Sequence, residues 1–216
     1  MTAILFGSIS TLADTSEIQR DAFNQAFAEH GLDWTWDRET YAGLLDSNGG
    51  RDRVASYAAE RGEDVDADAV HATKSRIYQE TLRSTDVSPR EGVAETMRAA
   101  KDEGHQLGLV TTTSADNLAA LRDALSGKVD FDDFGVVVDQ SQVSERKPDP
   151  EAYTVALRTL GVPADDAVAI EDNLGGVESA RAAGVEVVAF PNGNTVDHDF
   201  GPTRRVESVS LEDLRA

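Results

Sequence analysis

Hydroxyl, ammonium and carboxylate side chains follow the ends of several short apolar runs in this sequence. A turn rich in Gly and Ser, residues 7–11 (GSIST), follows the first run, and residues 111–114 (TTTS) follow the second. Glu171 and Asp172 follow a later run, and Lys147 lies in a loop that can reach the same edge. If these runs are parallel strands, their carboxyl ends meet where open α/β sheets bind ligands. Together the residues are typical of a phosphate site that also holds a divalent cation.

Each residue type also has a more ordinary interpretation. Thr111 could be a helix-capping hydroxyl, and Glu171 and Asp172 could lie in a solvated loop. Their position at successive strand ends favours the joint interpretation, in which the three act on one ligand.

The elements that would position these residues are five apolar runs without polar alternation, as expected of strands covered on both faces. They are residues 3–6, 107–110, 136–138, 167–170 and 185–190. Helical patterns separate the later runs, with start signals at Ser114 and Pro150 and stop signals at Gly161 and Gly184. This alternation predicts an α/β fold with a doubly wound parallel sheet.

The first run leads into a helix. Asp14 is a suitable N-cap for it, and Glu17 three residues later completes the pattern of a capping box. The apolar residues of this helix recur at a 3.6-residue period.

About a hundred residues separate the first two predicted strands, too many for one crossover. Most of them show helical patterns, at 15–30, 37–46, 50–61, 66–83 and 90–103. We therefore predict a helical cap at 15–87, inserted into an α/β core formed by residues 1–14 and 88–216.

The composition excludes several classes of protein. The 216 residues carry a formal charge of −20, with 40 acidic and 20 basic residues, and contain no Cys. Disulfide chemistry is therefore excluded, and the acidic surface disfavours nucleic acids and anionic membranes as partners. No apolar run reaches membrane-spanning length. We expect a cytoplasmic monomer or small homo-oligomer with the composition of halophilic proteins.

Four stretches resemble the motifs of the haloacid dehalogenase (HAD) superfamily: ILFGSISTLADT, LVTTTS, RKPDPE and AIEDNLGGVESARAAG. The resemblance covers nearly the whole chain and implies a Rossmann-like core. The helical insert is similar to the branch that contains beta-phosphoglucomutase and phosphoglycolate phosphatase. The stretch GLDWTWDRETYAGLLDSNGGRDRV further resembles sugar bisphosphate phosphatases encoded beside carboxylation-cycle genes. The resemblance thus implies a magnesium-dependent phosphoric monoester hydrolase that acts on a phosphorylated small molecule.

The same resemblance implies a role for particular residues. The phosphate-binding residues would be Ser10, Thr11, Thr111, Thr112 and Lys147. Glu171 and Asp172 would hold Mg²⁺. Glu17, Arg51 and Arg53 of the cap would contact the rest of the substrate, although both arginines could instead lie on a solvated helix.

The first motif departs from the family. The family has Asp-x-Asp-Gly-Thr where this chain has residues 7–11, so Gly7 and Ile9 replace the two aspartates. The first aspartate is the nucleophile and the second is the general acid and base, and neither Gly nor Ile can perform these roles. Magnesium also loses one carboxylate ligand, so we expect weaker metal binding.

Other residues could take over the lost roles. Ser8 and Ser10 carry hydroxyls, and Asp14 carries a carboxylate close by. Strand alternation turns Ser8 away, however, and no base adjoins Ser10 in the sequence. We therefore predict a phosphatase-like pseudoenzyme that binds phosphate ligands with weak or no hydrolysis. An active phosphatase with an unusual first motif, or an interaction module with a relic pocket, are the alternatives.

Overall fold

The central element of the fold is a parallel β-sheet. The computed structural model describes residues 1–7, 9–46 and 49–215. Its strands are β1 (Ala3–Phe6), β2 (Gln106–Val110), β3 (Phe134–Val138), β4 (Ala167–Glu171) and β5 (Glu186–Ala189). They lie in the order β3-β2-β1-β4-β5. In register, Leu5 of β1 pairs with Gly108 of β2 on one side and with Ala169 of β4 on the other. The predicted α/β fold with a doubly wound sheet is confirmed, and every predicted apolar run became a strand.

Helices cover the sheet and form a further layer at one edge. They are α1 (Ile9–Leu12), α2 (Ser16–Glu29), α3 (Arg38–Gly43), α4 (Gly50–Arg61), α5 (Ala67–Ser84), α6 (Val93–Asp102), α7 (Ala115–Ala124), α8 (Glu151–Leu160) and α9 (Leu174–Ala182). In the described part of the chain, no helix combines the length and the apolar character that crossing a membrane requires.

Strand alternation divides the core into two halves. Ile4 and Phe6 of β1 pack into the half that contains α6 and α7, whereas Ala3 and Leu5 pack into the half that contains α8 and α9. All four side chains are fully buried. Both faces of the central strand are therefore covered, which explains its uninterrupted apolar sequence.

Helices α2 to α5 lie between β1 and β2 in sequence. α2 and α4 pack on α5, and α5 also packs on α7 of the sheet layer. An aromatic cluster fills the interior of this helical layer. Its members are Phe23, Phe27, Trp34, Trp36, Tyr41 and Tyr57. The domain boundaries at 14/15 and 87/88 stay a prediction.

The predicted start of α2 was wrong by one residue. Thr15, not Asp14, is the N-cap, and its side chain makes no capping hydrogen bond. The Asp14 carboxylate instead accepts from the backbone N–H of Ser16 at 3.1 Å and from its hydroxyl at 2.5 Å. Glu17 does not complete a capping box, because its carboxylate binds Arg20 at 2.8 Å.

Two further differences concern the turn after β1 and the start of α6. The turn after β1 contains the helix α1, which the sequence did not predict. The helix predicted from residue 90 begins at Val93, because Gly92 adopts a positive φ of 81° immediately before it. A side chain at Gly92 would also collide with the carbonyl oxygen of Val209.

Candidate active site

A cavity of about 220 Å³ lies between the carboxyl edge of the sheet and the helical layer. The turns after β1, β2, β3 and β4 all contribute lining residues, among them Ser10, Thr111, Gln140 and Asp172. The predicted convergence of strand ends is therefore present in the fold. The helical layer closes the opposite side.

The β2 turn presents hydroxyls and a helix N-terminus to the cavity. Thr111 and Thr112 line it, and the Thr111 hydroxyl accepts from the backbone N–H of Thr113 at 3.2 Å. Ser114 caps α7 by accepting from the N–H of Asn117, and both residues also line the cavity. The N-terminal end of α7 is thus favourable for an anion.

Three cationic side chains line the cavity: Arg53, Lys74 and Arg146. Arg53 is buried, donates from Nε to the carbonyl of Leu44 at 2.8 Å and lies over the ring of Tyr41. Lys74 is also buried and donates to Oε1 of Gln19 at 2.9 Å. Among the described lining residues, one carboxylate, that of Asp172, faces these three cations. The cavity therefore favours an anionic ligand.

Burial shifts the protonation of two lining residues. Burial, aided by the neighbouring Arg53 charge, lowers the pKa of Lys74 to about 7. Burial likewise lowers the pKa of His71 to about 4, aided by the charges of Lys74 and Arg146. His71 is therefore neutral at pH 7, whereas Lys74 is close to its titration point.

Lys147 does not line the cavity, although it is the predicted phosphate ligand. It is buried and directs Nζ into the protein, donating to the carbonyls of Gly7 and Val110 and to the carboxylate of Glu171. The bonds to Val110 and to Oε1 of Glu171 are both 2.6 Å long. These bonds hold the ammonium at the carboxyl ends of β1, β2 and β4.

Glu171 is enclosed as well. It is fully buried at the end of β4, and its Oε1 also accepts from the hydroxyl of Tyr153 at 2.6 Å. Burial raises the pKa of this carboxyl group even though Lys147 opposes the shift. Among the described residues, no donor reaches its second oxygen, Oε2.

Protein donors engage both carboxylates of the predicted magnesium site. The carboxylate of Asp172 accepts from the side-chain amides of Asn192 at 2.8 Å and Asn173 at 3.1 Å, one on each oxygen. Glu171 is paired with Lys147, and Gly7 offers no side chain. No group of three or more His, Cys, Asp or Glu residues in the described chain could hold a metal ion. Magnesium ligation by Glu171 and Asp172 stays a prediction from the resemblance.

The remaining predicted site residues divide into two groups. Ser10 and Arg53 line the cavity, whereas Thr11, Glu17 and Arg51 do not. The Thr11 hydroxyl lies 3.5 Å from Oδ1 of Asp172. Glu17 is partly exposed beside Arg20.

The other candidates are placed away from the cavity or cannot be located. Arg51 is exposed and paired with Asp68 at 3.1 Å. Asp14, a candidate replacement nucleophile, is exposed and does not line the cavity. Ser8 lies outside the described residues.

Sequence reasoning missed Lys74 and Arg146. Lys74 follows Val70 by four residues and precedes Tyr78 by four, so it lies on the buried face of α5. A lysine at helical spacing among apolar residues is a detectable signal, because an ammonium is rarely buried without a functional or structural partner. Arg146 immediately precedes Lys147 and gave no comparable signal.

The sequence model of the haloacid dehalogenase-like hydrolases matches residues 6–190. This chain belongs to that family. Protein CbbY of Cereibacter sphaeroides is 37% identical over 212 residues, covering 96% of this chain and 92% of the relative. Protein CbbY of Rhodobacter capsulatus is 39% identical over 203 residues, covering 93% and 89%.

Solved structures of a CbbY protein resemble this HAD-family fold throughout. CbbY from Rhodobacter sphaeroides in complex with phosphate has a TM-score of 0.90 at 35% identity, with full coverage of both chains. A variant of that protein in complex with xylulose-(1,5)-bisphosphate also has a TM-score of 0.90, covering 99% of each chain. The chain is therefore phosphatase-like and similar to the CbbY proteins.

Proposed function

We propose that this HAD-family protein binds a phosphorylated small molecule, a sugar phosphate or bisphosphate, and hydrolyses it weakly or not at all. The ligand lies in the cavity between the sheet edge and the helical layer. The observation that carries the proposal is the combination of three cations among the described lining residues with a first turn, residues 7–11, that contains no carboxylate.

The cations supply the affinity. Arg53, Lys74 and Arg146 surround the part of the cavity formed by the helical layer and the loop before Lys147. Thr111 and the N-terminus of α7 add polar groups from the sheet edge. Cations from the helical layer together with donors from the sheet edge suit a ligand with two anionic ends, which agrees with the bisphosphate bound by the CbbY variant.

The first turn limits the chemistry. Gly7 has no side chain and Ile9, which lines the cavity, has no proton to transfer. A HAD phosphatase needs a carboxylate nucleophile and a carboxyl acid at these two positions, so ordinary turnover is lost. Binding and electrostatics alone can still give roughly a thousandfold acceleration over water. Slow hydrolysis is therefore compatible with the proposal.

An active hydrolase is the second candidate, and one observation favours it. The buried hydroxyl of Ser10 lines the cavity, at the strand end where the family attacks phosphorus. Among the described lining residues, His71 and Lys74 of the helical layer are the candidate nitrogen bases. If Ser10 is the nucleophile, Ser10→Ala should abolish hydrolysis. If the protein only binds its ligand, the same change should leave the slow background rate of hydrolysis unchanged.

Equilibrium binding tests the proposal. Isothermal titration of the full chain with xylulose 1,5-bisphosphate and with inorganic phosphate should give saturable binding. Lys74→Met and Arg146→Met remove one cation each from the cavity wall, and each should weaken bisphosphate binding by about tenfold or more.

Arg51→Met is the matched control. It removes a cation from α4, two residues before Arg53, but Arg51 is exposed and paired with Asp68. Its affinity should stay within about twofold of the wild type. Absence of binding in the wild type, or equal losses in all three variants, would refute the proposed site.

A further inference from the structure

The carboxylate of Glu171 lies in the space that a side chain at position 7 would take. A Cβ atom built on Gly7 would be 2.0 Å from Cδ of Glu171 and 2.1 Å from its Oε1. Gly176 of α9 closes the other side, because a Cβ there would lie 2.1 Å from Oε2 of the same carboxylate. Neither glycine has a positive φ, so backbone conformation does not require Gly at either position. The two glycines provide room for one carboxylate.

This carboxylate is held firmly between them. Oε1 accepts from Lys147 and Tyr153, both at 2.6 Å, and Glu171, Lys147 and Tyr153 are all buried. Moving the carboxylate away would break its 2.6 Å ion pair with the buried Lys147 ammonium, which is costly. A side chain at position 7 therefore competes directly with this ion pair.

We infer that Glu171 has taken over the side-chain space of residue 7 as the counter-ion of Lys147, and that anion binding in the cavity consequently needs no divalent cation. A cation is needed where clustered carboxylates repel an anionic ligand. Here position 7 carries no carboxylate, Glu171 is neutralised by Lys147, and Asp172 accepts two amide hydrogen bonds.

The charged side chains that line the cavity also indicate that an anion can bind without a divalent cation. Arg53, Lys74 and Arg146 outnumber the single lining carboxylate among the described residues. The wall is thus cationic without a metal ion. The conclusion that anion binding needs no divalent cation rests on the proposed binding of a phosphorylated ligand. The conclusion that Glu171 occupies the side-chain space of residue 7, called the exchange below, does not.

A double-mutant cycle tests the exchange. Gly7→Ala should lower the melting temperature of the full chain, because the methyl group displaces the Glu171 carboxylate. In the Glu171→Ala background the same change should have little effect, since the space is then empty. Gly176→Ala should show the same coupling, even though Ala is the better helix former.

Gly43→Ala is the control. Gly43 ends α3, and nothing lies within 4 Å of a Cβ built there. Its effect should be small and equal in both backgrounds. If Gly7→Ala is harmless, or is equally harmful with and without Glu171, Glu171 does not occupy the position-7 space and the inference is overturned.

Metal dependence is measured separately. The electron paramagnetic resonance signal of free Mn²⁺ should persist when the wild-type protein is added. Inorganic phosphate should bind with the same affinity, within about twofold, in Mg²⁺ and in EDTA. Binding that requires Mg²⁺ overturns metal independence. Binding in neither condition refutes the proposed function together with metal independence, while the glycine cycle still decides the exchange.

Discussion

Lys74 lies in an environment that is unusual for a lysine, because its ammonium is buried beside aromatic rings. Its Nζ lies 4.9 Å from the ring centroids of both Phe23 and Tyr78, and its side chain is 3% exposed. The only hydrogen bond that the described structure gives its ammonium goes to the neutral side chain of Gln19. A buried ammonium without a carboxylate partner gains much from an anionic ligand, which supplies the missing charge.

The lowered pKa makes anion binding depend on pH. Sulfate is a suitable probe, because it stays a dianion across the range. Below the Lys74 pKa of about 7 the ammonium is present, and above it the free protein must take up a proton to bind. Sulfate affinity should therefore fall above pH 7, by up to about tenfold per pH unit. Isothermal titration calorimetry measures this loss of sulfate affinity between about pH 6 and pH 9. These limits lie about one unit below and about two units above the Lys74 pKa.

Two variants control this experiment. Lys74→Arg keeps its charge over the whole range, so its affinity should not vary with pH. Lys74→Met should bind weakly at every pH. A wild-type profile that is flat, or one that Lys74→Met retains, would show that Lys74 does not contact the anion.

The helical layer depends on its aromatic cluster. Trp36 is fully buried, with its ring centroid 4.6 Å from that of Phe27 and 4.9 Å from that of Phe23. The backbone on either side of this ring is fixed by Asn24, which both donates to the carbonyl and accepts from the N–H of Trp36. The cluster therefore joins α2 to α3 and α4, and one of its rings, Phe23, lies against the Lys74 ammonium of α5.

Removing the central ring should destabilise the protein. Trp36→Ala leaves a large cavity and is expected to lower the free energy of unfolding by about 3–5 kcal/mol. Urea unfolding followed by circular dichroism measures the change. Val196→Ala, at an apolar side chain that is 48% exposed, should stay within about 0.5 kcal/mol of the wild type. Equal losses in both variants would argue against a structural role for the cluster.

The central strands β1 and β4 were predictable because all their residues are buried, which leaves an unbroken apolar run in the sequence. The caps at Ser114 and Gly161 were predictable for a local reason, since their hydrogen bonds and backbone angles involve only neighbouring residues. The start of α2 was not, because the hydroxyl of Ser16 competes with the helix for Asp14.

The site was predictable only in part. Ser10 and Thr111 reach the cavity because strand ends converge in any doubly wound sheet. The direction of the Glu171 and Lys147 side chains depends on Tyr153 and on the space beside Gly7, which are distant in sequence. The cationic wall likewise arises where helices from different parts of the chain meet. A local sequence pattern therefore cannot predict these side-chain directions or the cationic wall.

At the scale of the whole molecule, the formal charge of −20 on 216 residues leads us to expect a stability that depends on salt. Like charges repel in the folded state, and salt shortens the range of the repulsion from about 10 Å at 0.1 M to about 3 Å at 1 M. We expect the melting temperature to rise over this range of potassium chloride. Sodium chloride at equal ionic strength should act similarly if screening is the cause. A melting temperature that falls with salt would contradict the predicted halophilic character.

The most direct test of the account measures binding and turnover on one sample. Xylulose 1,5-bisphosphate is titrated into the full chain by calorimetry, and released phosphate is assayed in the same solution with Mg²⁺ present. The account predicts saturable binding with phosphate release far below the roughly 1–1,000 per second of ordinary enzymes. Turnover within that range would contradict it, because it would require a nucleophile that Gly7 and Ile9 do not provide.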